Sequence, residues 1–264
     1  MAAFRVDREG GIATVILGRP EKLCALLMET YRELRAFFGH LRKEPSVRAV
    51  ILTGSGRGFC SGGDMVEVVG LLARSGPAAH RKFCALQNSL AREIRRSPLP
   101  VIAAVNGLAV GCGASLALAC DLRLASPGAR FVFAYPGLSA GDLGTSWLLP
   151  RLVGLGRATD WLLTGRPIDA REALSAGLLS RIVTEKRLLG EARLAAKRLF
   201  EGSRESLAIT KRLLGELAGA RFPEALTKEA REQAKLMARP DFREAAAAFA
   251  QKRPPRFNRE RSRG

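Results

Sequence analysis

Two glycine-rich loops hold the residues of this chain best suited to chemistry. The first is Gly58-Phe59-Cys60-Ser61-Gly62-Gly63-Asp64, the second Asn106-Gly107-Leu108-Ala109-Val110-Gly111-Cys112-Gly113. Each follows an apolar run and precedes a helical pattern, so each offers backbone N–H groups that no helix satisfies, beside the positive end of a helix dipole. Glycine lets such a backbone approach a ligand closely. Two N–H groups, one from each loop, aimed at one point would stabilise an oxygen that gains negative charge, and one donor of this kind contributes about 3–4 kcal/mol. Close packing of helix on strand would use Gly111 and Gly113 equally well.

Few titratable groups stand near these loops. Asp64 ends the first loop and reads as a helix cap before a pocket residue. Glu67, one turn further on, reads as solvated. Asp142 lies in Ala140-Gly141-Asp142-Leu143-Gly144-Thr145-Ser146-Trp147, where capping competes with a role in proton transfer. A single carboxylate suits a 1,3 proton shift, in which one group takes a proton from one carbon and returns it to another. His40 and His80 fall in amphipathic helical segments away from the loops. The five cysteines form no C-x-x-C pair and read as small reduced core residues, and no metal site is expected.

The elements that must position the loops follow from periodicity. Val101 to Asp121 reads as buried strand, glycine turn and helix, with helix formers from Ala114 to Ala119. Phe4 to Arg8 and Ile12 to Leu17 flank Gly10-Gly11 and predict a β-hairpin. Leu26 to Leu41 carries apolar residues at helical spacing, Val47 to Leu52 is a third strand, and helical patterns cover Met65 to Leu72 and Ala78 to Arg95. Leu122 to Ala125 is a short strand. From Ser146 onward the chain is almost entirely helical, interrupted by a strand at Ser180 to Val183. Sheet-rich first part and helix-rich last part give an α/β core over residues 1–190 and a C-terminal helical region over 191–264.

The chain of 264 residues is long enough to bury a large core, and no apolar run reaches the roughly 18–20 residues that span a bilayer. The start, MAAFRVDREGG, lacks a charged n-region followed by an apolar h-region, so a cytoplasmic location and no membrane partner are expected. Lys and Arg number 43 against 25 Asp and Glu, a net charge of +18. Such a field favours polyanions. The basic residues are scattered among helices that also carry Glu, and no aromatic platform accompanies them, so nucleic-acid binding ranks low.

The two loops in this order, with Arg19-Pro20, the block Trp147-Leu148-Leu149-Pro150-Arg151-Leu152-Val153-Gly154, the segment Leu163-Thr164-Gly165-Arg166 and the ending Lys252-Arg253-Pro254-Pro255-Arg256-Phe257, resemble the crotonase or enoyl-CoA hydratase/isomerase superfamily over nearly the whole chain. The resemblance implies an α/β spiral of ββα units with a C-terminal helical trimerisation region, assembling as a homotrimer or hexamer. It implies an acyl-CoA thioester as substrate, with coenzyme A as part of that substrate and no separate cofactor. The oxyanion donors would be the N–H groups of Gly63 and Cys112; the family usually has glycine at the second position, and cysteine keeps the N–H. Coenzyme A would lie on Lys22, Leu23, Ala25, Ser61, Gly63 and Asp64, with Cys24 standing where Asn is usual.

Hydratases of this family place two glutamates over the oxyanion hole, and the resemblance puts Ser115 and Tyr135 at those positions. A serine hydroxyl is too weak an acid or base near neutral pH to replace a carboxylate. Asp142 resembles the aspartate that shuttles the proton in double-bond isomerases of the family, although this loop is about one residue shorter and lacks the usual proline. Isomerisation through Asp142 is therefore expected over two-glutamate hydration, with Ser115, Tyr135, Asp64 and Glu67 as pocket candidates. The alternatives are a catalytically altered or inactive CoA-binding protein, or an RNA-binding homologue of the hydratases.

Overall fold

The computed structural model describes residues 3–134, 137 and 144–257. Strands β1 (Phe4–Glu9) and β2 (Ile12–Leu17) form the expected hairpin; Glu9 faces Ile12, and Gly10 and Gly11 both have positive φ, the geometry that matches the strands' twist. Helix α1 (Met28–His40) and strand β3 (Ala49–Gly54) follow, then β4 (Gly58–Cys60), a π-helical turn over Met65–Val69, α2 (Gly70–Ala73) and α3 (Pro77–Arg96). The middle of the chain runs β5 (Val101–Val105), β6 (Leu108–Val110), α4 (Cys112–Ala119), β7 (Leu122–Ala125) and β8 (Arg130–Val132). Beyond it come α5 (Thr145–Val153), α6 (Leu155–Thr164), β9 (Ile168–Asp169), α7 (Ala170–Ser175), β10 (Arg181–Ile182), α8 (Glu185–Leu199), α9 (Arg204–Glu216), α10 (Phe222–Met237) and α11 (Pro240–Ala250). Among the described residues, no helix is long and apolar enough to cross a membrane.

The strands form two sheets. One has six strands in the order β1-β2-β3-β5-β7-β10, parallel from β2 onward; the other has four in the order β4-β6-β8-β9. Successive strands alternate between them: β3, β5 and β7 each enter the large sheet, and β4, β6 and β8 follow at once in the small one. The small sheet is absent from the sequence-based reading, which treats its segments as loops; its strands are two or three residues long, too short to show a period of two.

Alternation along β3 separates two cores. Val50 and Leu52 face the inner cluster with Leu26, Tyr31, Leu34 and Phe38, while Ala49 and Ile51 face an outer cluster with Ile102, Leu124 and the α8 residues Leu188, Ala192 and Ala196. Helix α8 runs unbroken through residue 190, with its apolar face on the large sheet. Helix α9 is fastened to the core by Lys211, whose ammonium bonds the carbonyls of Ile94 (3.1 Å) and Leu99 (2.9 Å) and the Asp121 carboxylate (2.7 Å).

Candidate active site

The small sheet sets the two glycine loops side by side. Strands β4 and β6 are parallel neighbours, with Gly58 opposite Leu108 and Cys60 opposite Ala109, so residues 61–64 and 111–113 leave the same end of the sheet together. Gly111 takes φ 50°, a turn that L side chains rarely adopt, and its N–H bonds the Val132 carbonyl at 2.8 Å. Gly113 has a different reason: a Cβ there would collide with the Cys60 carbonyl. Gly111 is thus required by the turn and Gly113 by close packing. The Asn106 carboxamide clasps the first loop, accepting from the Gly54 N–H (3.0 Å) and donating to the carbonyls of Gly56 (2.9 Å) and Gly58 (3.0 Å).

The segment from Arg19 to Leu26 lines the first loop. The Ser61 N–H donates to the Leu23 carbonyl (2.9 Å), the Leu26 N–H to Gly62 (2.7 Å) and the Asp64 N–H to Leu26 (2.9 Å), while the Ser61 hydroxyl donates to Lys22 (3.1 Å). Lys22, Leu23, Ala25, Ser61, Gly63 and Asp64 therefore form one continuous patch. Arg19, Leu23 and Cys24 are left-handed, with φ of 63°, 50° and 58°. Asn tolerates this conformation better than most residues; Cys24 is held in it with its thiol buried against the carbonyls of Leu17, Ser55 and Gly58.

Asp64 is buried and accepts from the N–H groups of Val66 (2.9 Å) and Glu67 (3.0 Å), the cap that its position predicts. The Glu67 amide, then the Arg19 guanidinium at 2.8 Å, hold its carboxyl below the usual aspartate range against the opposing effect of burial. Arg19 also reaches the Ala25 carbonyl (3.1 Å) and so ties the two halves of the patch together. Glu67 is exposed, as expected of a solvated residue.

The N–H groups of Gly63 and Cys112 have no backbone partner among the described residues. Both act on the Cys112 sulfur as hydrogen-bond donors that favour its charged form, so the two amides converge on that sulfur. Burial outweighs them and the thiol pKa is raised. Gln87, on α3, donates its Nε2 to the sulfur (3.0 Å) and to the Tyr31 hydroxyl (3.2 Å). A Cβ on Gly63 would face Val68 and the Tyr31 hydroxyl, which places Tyr31 beside the first amide. Burial, reinforced by Cys112, raises the Tyr31 pKa well above its ordinary value and keeps the phenol neutral.

Ser115 sits one turn into α4, 2% exposed. Its hydroxyl bonds the Gly111 carbonyl (3.1 Å) and the Thr145 hydroxyl (2.8 Å), so Ser115 joins α4 to the start of α5. Tyr135 and Asp142 lie outside the described residues. His40 and His80 bond the backbone carbonyls of Ala36 and Leu72 and take no part. A groove of about 1140 Å³ between α3, α5, α9 and α10, lined by Arg92, Trp147, Leu148 and Ile209 among others, includes no residue of either glycine loop. Gln87, the Tyr31 hydroxyl and the Arg19 guanidinium are absent from the sequence-based site. The signal for Gln87 was present: it is a polar residue in the stripe Phe83, Gln87, Leu90, Ile94 that α3 turns inward.

A family model described as enoyl-CoA hydratase/isomerase matches residues 7–260. A provisionally assigned enoyl-CoA hydratase of Mycobacterium leprae is 38% identical over 253 residues, which span 92% of this chain and 85% of that protein. The 1,2-epoxyphenylacetyl-CoA isomerase of Escherichia coli is 34% identical over 94% of this chain and 95% of its own. A crystal structure of a Streptomyces coelicolor A3(2) protein, provisionally assigned as an enoyl-CoA hydratase, superposes with a TM-score of 0.94 at 42% identity, covering 97% of this chain and 94% of that one. Sequence, fold and the pairing of the two glycine loops agree, and the chain belongs to the enoyl-CoA hydratase/isomerase family.

Proposed function

We propose that this member of the family shifts a double bond in an enoyl-CoA thioester, holding the enolate oxygen between the N–H groups of Gly63 and Cys112 and moving the proton with Asp142. The observation that carries the reading is the pair of amides without backbone partners that converge on the Cys112 sulfur at the start of α4. A thioester carbonyl that displaces the sulfur accepts both N–H bonds, and these strengthen as a neighbouring carbon loses its proton and charge gathers on oxygen. Coenzyme A lies along Lys22, Leu23, Ala25, Ser61, Gly63 and Asp64.

Isomerisation ranks above hydration because Ser115, fully engaged with Gly111 and Thr145, supplies no carboxylate. Asp142 is three residues before Thr145, and three residues of chain span at most about 11 Å. Thr145 touches the α4 side chain that stands one turn from the Cys112 amide, so the chain length permits the role proposed for Asp142. The isomerase named in Escherichia coli and the hydratase assignment in Mycobacterium leprae show that relatives carry both kinds of name. The protein assembles as a homotrimer or hexamer, a reading supported by exposed apolar side chains on α9 to α11, among them Leu214, Phe222 and Phe249.

Assay against 2-enoyl-, 3-enoyl- and dienoyl-CoA thioesters tests the activity. Isomerisation is expected to exceed hydration, and Asp142→Asn to lower its kcat by about 10²-fold or more with KM little changed. An unchanged kcat removes Asp142 from the mechanism. Hydration faster than isomerisation overturns the assignment, and tight CoA binding without turnover of any thioester favours the binding-protein alternative.

A further inference from the structure

Two peptide groups stand between the Arg19 guanidinium and the Gly63 N–H. The first joins Ala25 to Leu26: its carbonyl accepts from Arg19 Nη1 at 3.1 Å, and its N–H donates to the Gly62 carbonyl at 2.7 Å. That carbonyl belongs to the second group, which joins Gly62 to Gly63 and carries the Gly63 N–H at its other end. In a planar trans peptide the carbonyl and the N–H point in opposite directions and share one resonance system, so charge drawn onto the oxygen leaves the N–H more positive. The path runs in one sense, donor to acceptor at each step, from a cation to the amide proposed to hold the enolate oxygen.

The guanidinium is fixed at the head of this path. Its Nη2 pairs with the Asp64 carboxylate at 2.8 Å, which leaves Nη1 for Ala25, and the two side chains are 16% and 8% exposed, so solvent screens the charge little. The Arg19 backbone is left-handed, φ 63° and ψ 54°, a conformation that a residue with a Cβ keeps only where its surroundings impose it. Its carbonyl accepts from the N–H groups of Lys22 and Cys24, each at 3.0 Å. The two oxyanion donors thus differ in what polarises them. Cys112 opens α4 and has the positive end of that helix dipole, and the carbonyl of its peptide, Gly111, accepts from the neutral Ser115 N–H (3.0 Å) and hydroxyl (3.1 Å). Gly63 precedes the anionic cap Asp64, so its positive charge must come from elsewhere.

We infer that Arg19 is a positioning residue, whose guanidinium strengthens the Gly63 N–H as an oxyanion donor through the Ala25–Leu26 and Gly62–Gly63 peptides. The inference rests on the oxyanion role proposed for Gly63. Because the oxygen carries more charge in the enolate than in the bound thioester, the gain is larger in the transition state and falls on kcat. Cooperative strengthening of about 10–30% per bond, applied to a donor that contributes roughly 10²–10³-fold, amounts to about two- to eight-fold in rate. A residue that only fastened the 22–26 segment to the loop would act differently: its loss would displace the proposed coenzyme A contacts and raise KM.

The test compares two variants of the full chain: Arg19→Gln removes the charge, and Arg19→Lys keeps it. Arg19→Gln is expected to lower kcat on an enoyl-CoA thioester about four-fold with KM within about two-fold of native, and Arg19→Lys to recover at least about half of the native kcat. A second readout needs neither ligand nor turnover. In ¹H–¹⁵N NMR spectra of the protein alone, the Gly63 amide proton is expected to move upfield in Arg19→Gln, while the Cys112 amide, which lies off the path, keeps its position. A rise in KM at unchanged kcat, a lysine variant no better than the glutamine one, a Gly63 amide that does not move or moves no more than that of Cys112, or failure of both variants to fold would each make Arg19 a packing residue and overturn the inference. If the native protein turns over no thioester, the functional reading fails while the Gly63 resonance still decides whether Arg19 polarises that amide.

Discussion

The carboxylate of Asp64 serves two backbone amides and one guanidinium, and it does so directly after Gly63 in the chain. Fixing Asp64 therefore restrains the chain one residue beyond the Gly63 amide, which itself lies in the Gly62–Gly63 peptide. Because the folded carboxyl ionises below the unfolded one, its contribution to stability is complete above the unfolded pKa of about 4 and is lost as pH falls through the lowered folded value. Asp64→Ala is expected to cost about 1–2 kcal/mol near neutrality and to flatten the fall of Tm in acid; parallel Tm curves for both proteins between pH 3 and pH 7, values that bracket this range by about one to three units, would remove Asp64 from the acid response. The cap was legible in the sequence, because an acidic residue before an apolar helical run is a local signal. The Arg19 partner was not, since it lies 45 positions away and only the left-handed turn at Arg19 brings it near.

At the scale of elements, the small sheet is the part that joins recognition to fold. Its strands were hidden because three residues such as Gly58-Phe59-Cys60 or Leu108-Ala109-Val110 pair only through the larger sheet that feeds them. The long elements were legible for the opposite reason: β3 and β5 are apolar runs, and α3 repeats its inward stripe from Phe83 to Ile94, about three turns. Asn106 is the side chain that couples the layers, bonding Gly54 at the end of β3 and Gly56 and Gly58 at the start of β4. Asn106→Ala leaves one N–H and two carbonyls without this partner and is expected to destabilise the protein by about 2–4 kcal/mol, read as a lower denaturant midpoint at an unchanged slope. Loss of less than about 0.5 kcal/mol would mean that water replaces the clasp at no cost.

Across the whole molecule, some basic residues sit in local networks, such as Arg212 and Lys235 on Glu232 and Arg166 on Asp160 and Glu172, while the net excess stays at 18 positive charges. These pairs lie at or near the surface, where each contributes little to stability. The larger whole-molecule feature is apolar: Phe222 and Phe249 remain 74% and 88% exposed on the C-terminal helices. The proposed assembly covers such surface, and sedimentation is expected to give three or six times the chain mass of 28.5 kDa. A single-chain mass at micromolar concentration would refute it.

The anchorage of Lys211 has a consequence for how the chain can be divided. Its ammonium is the meeting point of a helix C-terminus at Ile94, the entrance to β5 at Leu99 and the only acid of the α4–β7 corner, Asp121, which in turn holds the Val101 N–H. Cutting the chain ahead of α9 would strip a counter-ion from inside the first part rather than detach an appendage from its outside. The terminal quarter is in that sense structural mortar, and a shortened chain would leave Asp121, at the foot of its central strand, with only the more distant Arg95 at 3.9 Å as counter-ion.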